Sequence, residues 1–228
     1  MTAYYASILY GALLTVGVSL AALLVSVLLG LLGAGAKLSG NRPLVALATG
    51  YTTIIRGIPE LVLMLLVFYG GSIGINHLLE LSGTGATLDI DPFTAGVLTL
   101  GFIYGAYMTE TFRGAILSIP RGQFEAAAAF GMGRVRTFLR VTAPQMVRHA
   151  LPGFTNNWLV LIKATALVSL IGLQEMTYLA KQASAATRSP FAFFLFTGSL
   201  FLIYTWVSLT VLRKLHGRYS LGSKRPEL

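Results

Sequence analysis

No Asp, Glu, Lys, Arg or His occurs in the chain before Lys37, and the run from Ile8 to Ala36 exceeds the roughly 20 apolar residues that cross a hydrocarbon core. A segment of this kind predicts a transmembrane helix. A cleaved secretory signal needs a positive region ahead of its apolar run, and Met1 to Tyr10 offers no Lys or Arg, so the reading is an uncleaved span. The same economy of charge runs through the whole sequence. Of 228 residues, 55% are hydrophobic and 11% charged, against about 25% charged in soluble domains, which predicts an all-α polytopic membrane protein.

Apolar runs bounded by charges, Gly and Pro predict five spans at about 8–34, 44–69, 92–112, 154–174 and 190–212, within one transmembrane domain covering 1–228. An odd number puts the termini on opposite sides. Lys37 and Arg42, six arginines from Arg113 to Arg148 and five basic residues from Arg213 onward make 13 of the 17 Lys and Arg, all on one side of these spans. The other side holds Lys181 and Arg188, with Glu80, Asp89, Asp91 and Glu175 in or near its loops. By the positive-inside rule the N-terminus is outside and the C-terminus cytoplasmic. Topology thus accounts for the net charge of +9, and nucleic acid is excluded as its cause. With no cysteine there are no disulfides, zinc–thiolate sites or thiol chemistry.

The segment 113–153 is too long for a plain link between helices and predicts structure of its own. Alanine-rich Gln123 to Phe130 follows Pro120, a good helix start, and precedes Gly131, suited to a left-handed C-cap. Val135, Phe138 and Leu139 then fall at i, i+3, i+4 while Arg134, Arg136 and Arg140 point elsewhere, predicting an amphipathic helix that stops near Pro144. The pattern alone fits either a hairpin resting on anionic headgroups or a docking element.

Charged residues within spans need a partner or a water-filled cavity, since each costs about 2.5–3.5 kcal/mol at mid-membrane. Arg56 and Glu60, four apart, are spaced to pair across the turn made by Gly57 and Pro59; alternatively that interrupted helix lines a cavity or gate. Glu110 predicts a pair with Arg113. Lys163 has no acid at i±3 or i±4, so its expected partner is Glu60, a backbone carbonyl, another subunit or a substrate carboxylate. Gly30, Gly33 and Gly35 read as helix-packing positions, because no Walker-type lysine follows them. His77, His149 and His216 are dispersed, and no catalytic or metal-ligating arrangement is evident. From these residues alone, an ion-coupled secondary carrier and a non-transporting membrane scaffold both remain open.

Glu125-Ala126-Ala127, Gly131 six residues after the glutamate and Pro144 thirteen after the glycine resemble the EAA loop of ABC importer permeases. Val141-Thr142-Ala143 departs from the usual closing isoleucine, spacer and leucine. Arg56-Gly57-Ile58-Pro59-Glu60, Gly101 to Tyr107, Leu151-Pro152-Gly153 with Asn156-Asn157-Trp158, and Lys163 to Leu170 extend the likeness over nearly the whole chain. They are similar to the polar amino-acid branch, and most of all to Q subunits of histidine, basic amino-acid or opine permeases. The resemblance implies a type I ABC importer permease (MetI-like) fold and an inner-membrane location. It also implies that Glu125, Ala126, Ala127, Gly131 and Pro144 couple the chain to a cytoplasmic ATPase. The implied assembly has a homologous M-type permease, two ATP-binding subunits and a periplasmic amino-acid-binding protein. The chain itself is then non-catalytic and binds no cofactor, and the ATPase chains use ATP and Mg. Arg56, Gly57, Pro59, Glu60 and Lys163 are the candidate substrate path or gate.

Overall fold

A computed structural model describes residues 1–81, 83 and 90–219, and every regular element in it is helical. Helix α1 (Thr2–Leu38) has 37 residues and would extend about 55 Å, more than a bilayer core needs. Its buried stripe is mostly small: Gly11, Thr15, Ser19, Ala22, Ser26, Gly30 and Ala34 recur at helical spacing, while Leu13, Leu20, Leu24 and Leu28 are exposed on the far side. In water that exposed row would be an aggregation patch, whereas in lipid it is the expected exterior.

The expected second span is broken. Helix α2 (Arg42–Gly57) ends where Ile58 and Pro59 turn extended (ψ 137° and 136°), because a proline crowds the preceding residue out of the helical region. Helix α3 (Glu60–Leu65) then runs through a π-helical turn at Leu66–Gly70 into α4 (Gly71–Leu81). The apolar segment long enough to cross a membrane is therefore Glu60–Leu81 and not a continuous helix over 44–69.

Helix α5 (Pro92–Leu117) lies at the centre, with Asp91 capping its first turn by accepting from the Phe93 and Thr94 amides. It packs on α1 through glycines from both helices. A Cβ added at Gly30 would stand 2.5 Å from Met108 Cβ, one at Gly101 2.5 Å from Val25 Cγ1, and Gly33 faces Thr109; Gly35 meets nothing and is not a packing position. Among the described residues, four segments are long and apolar enough to cross a membrane by length and composition: Thr2–Leu38, Glu60–Leu81, Arg134–Ile171 and Pro190–Gly217. Helix α5 is not among them, since its Gly, Thr and Tyr residues suit contact with neighbouring helices more than with lipid.

Segment 113–153 is mostly helix. Helices α6 (Arg121–Ala129) and α7 (Arg134–Thr137) are followed by a π-helical turn at Phe138–Thr142 and α8 (Ala143–Ala164). The expected stop at Pro144 does not occur. Pro144 sits in the first turn of α8, where no intrahelical donor is required, and the wider turn before it absorbs the change of register. A 3₁₀ segment, Thr165–Ile171, ends at Gly172 in the left-handed region (φ 92°). Helix α9 (Met176–Thr187) precedes α10 (Pro190–Tyr219). Buried Glu175 ties α9 to α1: one carboxylate oxygen accepts from the Tyr178 amide at 2.8 Å and the other from the Thr15 hydroxyl at 3.1 Å.

Candidate functional site

Two regions carry unsatisfied chemistry. One is the interruption between α2 and α3. Its flanking charges do not pair with each other, because the extended Ile58–Pro59 link removes the one-turn spacing on which an Arg56–Glu60 contact depends. Arg56 instead lies over the Tyr107 ring, 5.4 Å from its centroid, and donates no hydrogen bond among the described residues. Glu60 accepts a hydrogen bond from the Tyr104 hydroxyl at 3.0 Å and forms no ion pair among the described residues. The Tyr104 and Tyr107 rings stand 5.7 Å apart on α5.

Arg56 and Tyr107 open into a polar cleft of about 660 Å³ that also takes in Lys37, Thr52, Glu110 and Arg113. Glu110 is engaged twice. It forms the expected pair with Arg113 (2.9 Å) and also one with Lys37 from the end of α1, while Lys37 donates to Thr52 at 2.7 Å. Lys163, one residue from the end of α8, is exposed and makes no hydrogen bond or ion pair among the described residues, so of its possible partners neither Glu60 nor a backbone carbonyl is engaged there. A second cavity, of about 250 Å³, is lined by Val27, Phe112, Met146, Leu151 and other apolar side chains and offers a polar solute no partner.

The other region is α6 with its turn. The Met132 amide donates to the Ala127 carbonyl and the Gly131 amide to the Ala128 carbonyl, both at 2.9 Å, closing a Schellman motif with Gly131 left-handed at φ 68°. Only glycine takes that conformation without strain. Ala127 is buried, whereas Glu125, Ala126, Gly131 and Pro144 are exposed. Beyond the turn, Phe130 (87%), Val135 (73%) and Leu139 (63%) are largely exposed among Arg134, Arg136 and Arg140. The amphipathic face thus has no cover among the described residues.

Lys37, Tyr104 and Tyr107 are not among the candidates drawn from the sequence, although Tyr104, Tyr107, Glu110 and Arg113 recur at intervals of three along α5 and could have flagged it. Lys37 gives no such signal, because its partner is 73 positions away.

Residues 6–219 match the family of binding-protein-dependent transport system inner membrane components. The chain belongs to that family. The permease is 51% identical to the histidine/lysine/arginine/ornithine transport system permease protein HisQ of Escherichia coli (strain K12), over 97% of this chain and 96% of HisQ. It is 39% identical to the octopine transport system permease protein OccQ of Rhizobium radiobacter, over 93% and 90%. The crystal structure of an amino acid ABC transporter with histidines superposes with a TM-score of 0.80 at 30% identity, covering 96% of each chain. The inward-facing MetNI methionine ABC transporter gives a TM-score of 0.74 at 15% identity, covering 93% and 96%, a likeness of fold. The permease therefore has the all-helical, MetI-like architecture of ABC importer subunits, with several apolar helices suited to a multi-pass membrane protein.

Proposed function

We propose that this chain is the transmembrane permease subunit of an ATP-driven importer of a polar, basic amino acid: histidine, arginine, lysine, ornithine or an opine. The observation that carries this is the near full-length likeness to HisQ, a histidine/lysine/arginine/ornithine permease protein. In this reading the single domain crosses the bacterial inner membrane five times, at α1, the α2–α4 segment, α5, α8 and α10. The N-terminus is outside and the tail cytoplasmic, as the one-sided distribution of basic residues favours. It pairs with a homologous M-type permease and takes solute from a periplasmic binding protein. Two cytoplasmic ATPase subunits hold the ATP and Mg.

Glu125, Ala126, Gly131 and Pro144 form the ATPase contact, while Ala127, buried, lies on the inward side of α6 and does not reach the partner. The slim exposed alanine face of α6 suits a cleft, the Schellman turn makes it rigid, and the uncovered Phe130, Val135 and Leu139 supply apolar area for a partner to bury. Force applied there passes along the helical run from Arg134 to Ile171 into the bundle. The α2–α3 break, with Arg56, Gly57, Pro59 and Glu60, and the free Lys163 border the solute path, since irregular backbone at membrane depth is tolerated where it lines a cavity. Alternating access follows from motion of these helices around that path. The test is reconstitution in vesicles of the full assembly with its binding protein, ATP and labelled amino acids. Expected is ATP-dependent uptake of a basic amino acid that disappears when this chain is omitted; uptake surviving its omission would refute the assignment.

A further inference from the structure

We propose that Asn157 is a positioning residue for transport, its hydrogen bond to Thr111 carrying motion of α8 over to α5 and so to the wall of the polar cleft. The inference rests on the transport reading above and names the point at which coupling motion leaves α8. Helix α6 packs on the π-helical turn at Phe138–Thr142, and that turn continues without a break into α8, which packs on α5. Three residues of α5, Tyr107, Glu110 and Arg113, line the polar cleft. The most direct way from the coupling turn to the cleft therefore crosses the α8–α5 contact.

That contact is built on Thr111. A Cβ at Gly153 would stand 2.9 Å from Thr111 Cγ2, so α8 comes against this side chain with no room between them. One turn on, the Asn157 amide donates to Thr111 Oγ1 at 3.0 Å, and Thr111 donates in turn to the Tyr107 carbonyl at 3.1 Å. Thr111 is thus held by two residues of α8 that lie four apart, on one face of the helix. Among the described residues, the side-chain hydrogen bonds from α8 to α5 all start at the Asn157 amide, the second being a weaker one to Met108 Sδ at 3.9 Å. Met108 is fully buried where α5 meets Gly30 of α1, so the same amide reaches the α1–α5 packing.

Two features give this bond a part in motion as well as in packing. Pro152 lies inside α8 immediately before the contact, where it withholds an amide from the helix ladder and lets the helix bend. A helix that can bend passes motion to its neighbour only if it is gripped beyond the bend, and Gly153 and Asn157 supply that grip. The bond is also polar in an apolar setting, since Asn157 is buried. Where no water competes, an amide parted from its partner has nothing to replace it, so the two helices move together instead of sliding. An apolar contact at the same place would resist separation but not slippage.

The test measures ATP hydrolysis and amino-acid uptake together, in vesicles holding the full assembly and its binding protein, for Asn157→Leu, Thr111→Val and the double variant, with Ser19→Ala as control. Ser19 is also buried and is bonded to Tyr204 at 2.6 Å, but it joins α1 to α10, away from the α8–α5 contact. Asn157→Leu and Thr111→Val should each assemble and hydrolyse ATP, while amino acids imported per ATP fall about threefold to tenfold, the double variant falling no further than either alone. Thr111→Ser, which keeps the hydroxyl, should hold that ratio within about twofold of wild type, and so should Ser19→Ala even where it lowers the unfolding temperature. An unchanged ratio in Thr111→Val, which preserves side-chain shape, would overturn the proposal whether or not Asn157→Leu assembles. Failure of both to assemble would overturn it as well, because the bond would then be structural. A ratio lowered as much by Ser19→Ala would do the same, by making the loss a general effect of stability. A wild-type assembly whose ATP hydrolysis drives no uptake would defeat the transport reading itself, whereas normal wild-type uptake with unaltered variants would defeat only the role of Asn157.

Discussion

Glu175 is nearly inaccessible, yet both its carboxylate oxygens are engaged, one capping α9 and the other on Thr15 of α1. Burial pushes its carboxyl above the usual range, opposed by the hydrogen bonds it accepts at the start of α9 and from Thr15. A carboxyl whose folded pKa is raised contributes stability below its unfolded value, near 4.3, and loses it as pH rises through the folded value. Asp91 runs the other way, because its bonds to Thr94 hold it below the usual range and its contribution fades only in acid. Of the two, Glu175 is therefore the one whose contribution is lost as pH rises above the ordinary carboxylate range. Thermal unfolding of the complex in detergent should fall in temperature as pH rises above the ordinary carboxylate range, and Glu175→Gln, which keeps an acceptor for Tyr178, should flatten the dependence; an unchanged slope would contradict the assignment. Glu175→Ala, which removes the cap, should cost about 1–2 kcal/mol. The sequence marked Arg56, Glu60 and Lys163 as charges in need of an explanation. It could not supply their partners, because Tyr104 lies 44 positions from Glu60 and the Lys37–Glu110 pair spans 73.

Elements were more legible than contacts where the cue was local. Pro59 announced the break after α2, and Gly131 announced the left-handed end of α6, since each residue constrains its own backbone or that of its neighbour. Pro144 misled for the same reason: a proline forbids a helix interior but not a helix start, and the π-helical turn ahead of it made a start available. The glycines of α1 separate by what faces them, which no one-dimensional pattern contains. Gly30→Ala would drive a Cβ into Met108 and should destabilise the fold by about 1–3 kcal/mol, whereas Gly35→Ala meets open space and should change stability by less than about 0.5 kcal/mol. Chemical unfolding of the detergent-solubilised complex reads both, and equal effects would refute the α1–α5 packing described here.

At the scale of the molecule, the absence of cysteine makes every introduced thiol a unique reporter of sidedness. Ser39→Cys, just past α1, and Ala186→Cys, near the end of α9, are both at exposed positions. In intact spheroplasts a membrane-impermeant maleimide should label Ala186→Cys, and should reach Ser39→Cys only after permeabilisation; the reverse pattern would invert the topology. The proposed gating and coupling surfaces have meaning only in that orientation, in which the α6 turn would face the ATPase and the α2–α3 break would lie on the path above it. Coupling between them is tested most directly by measuring ATP hydrolysis and amino-acid uptake together in vesicles containing the full assembly. With Glu125→Lys or Gly131→Arg, hydrolysis should persist and the subunit should still insert, while uptake falls to background; full uptake in both variants would contradict the account.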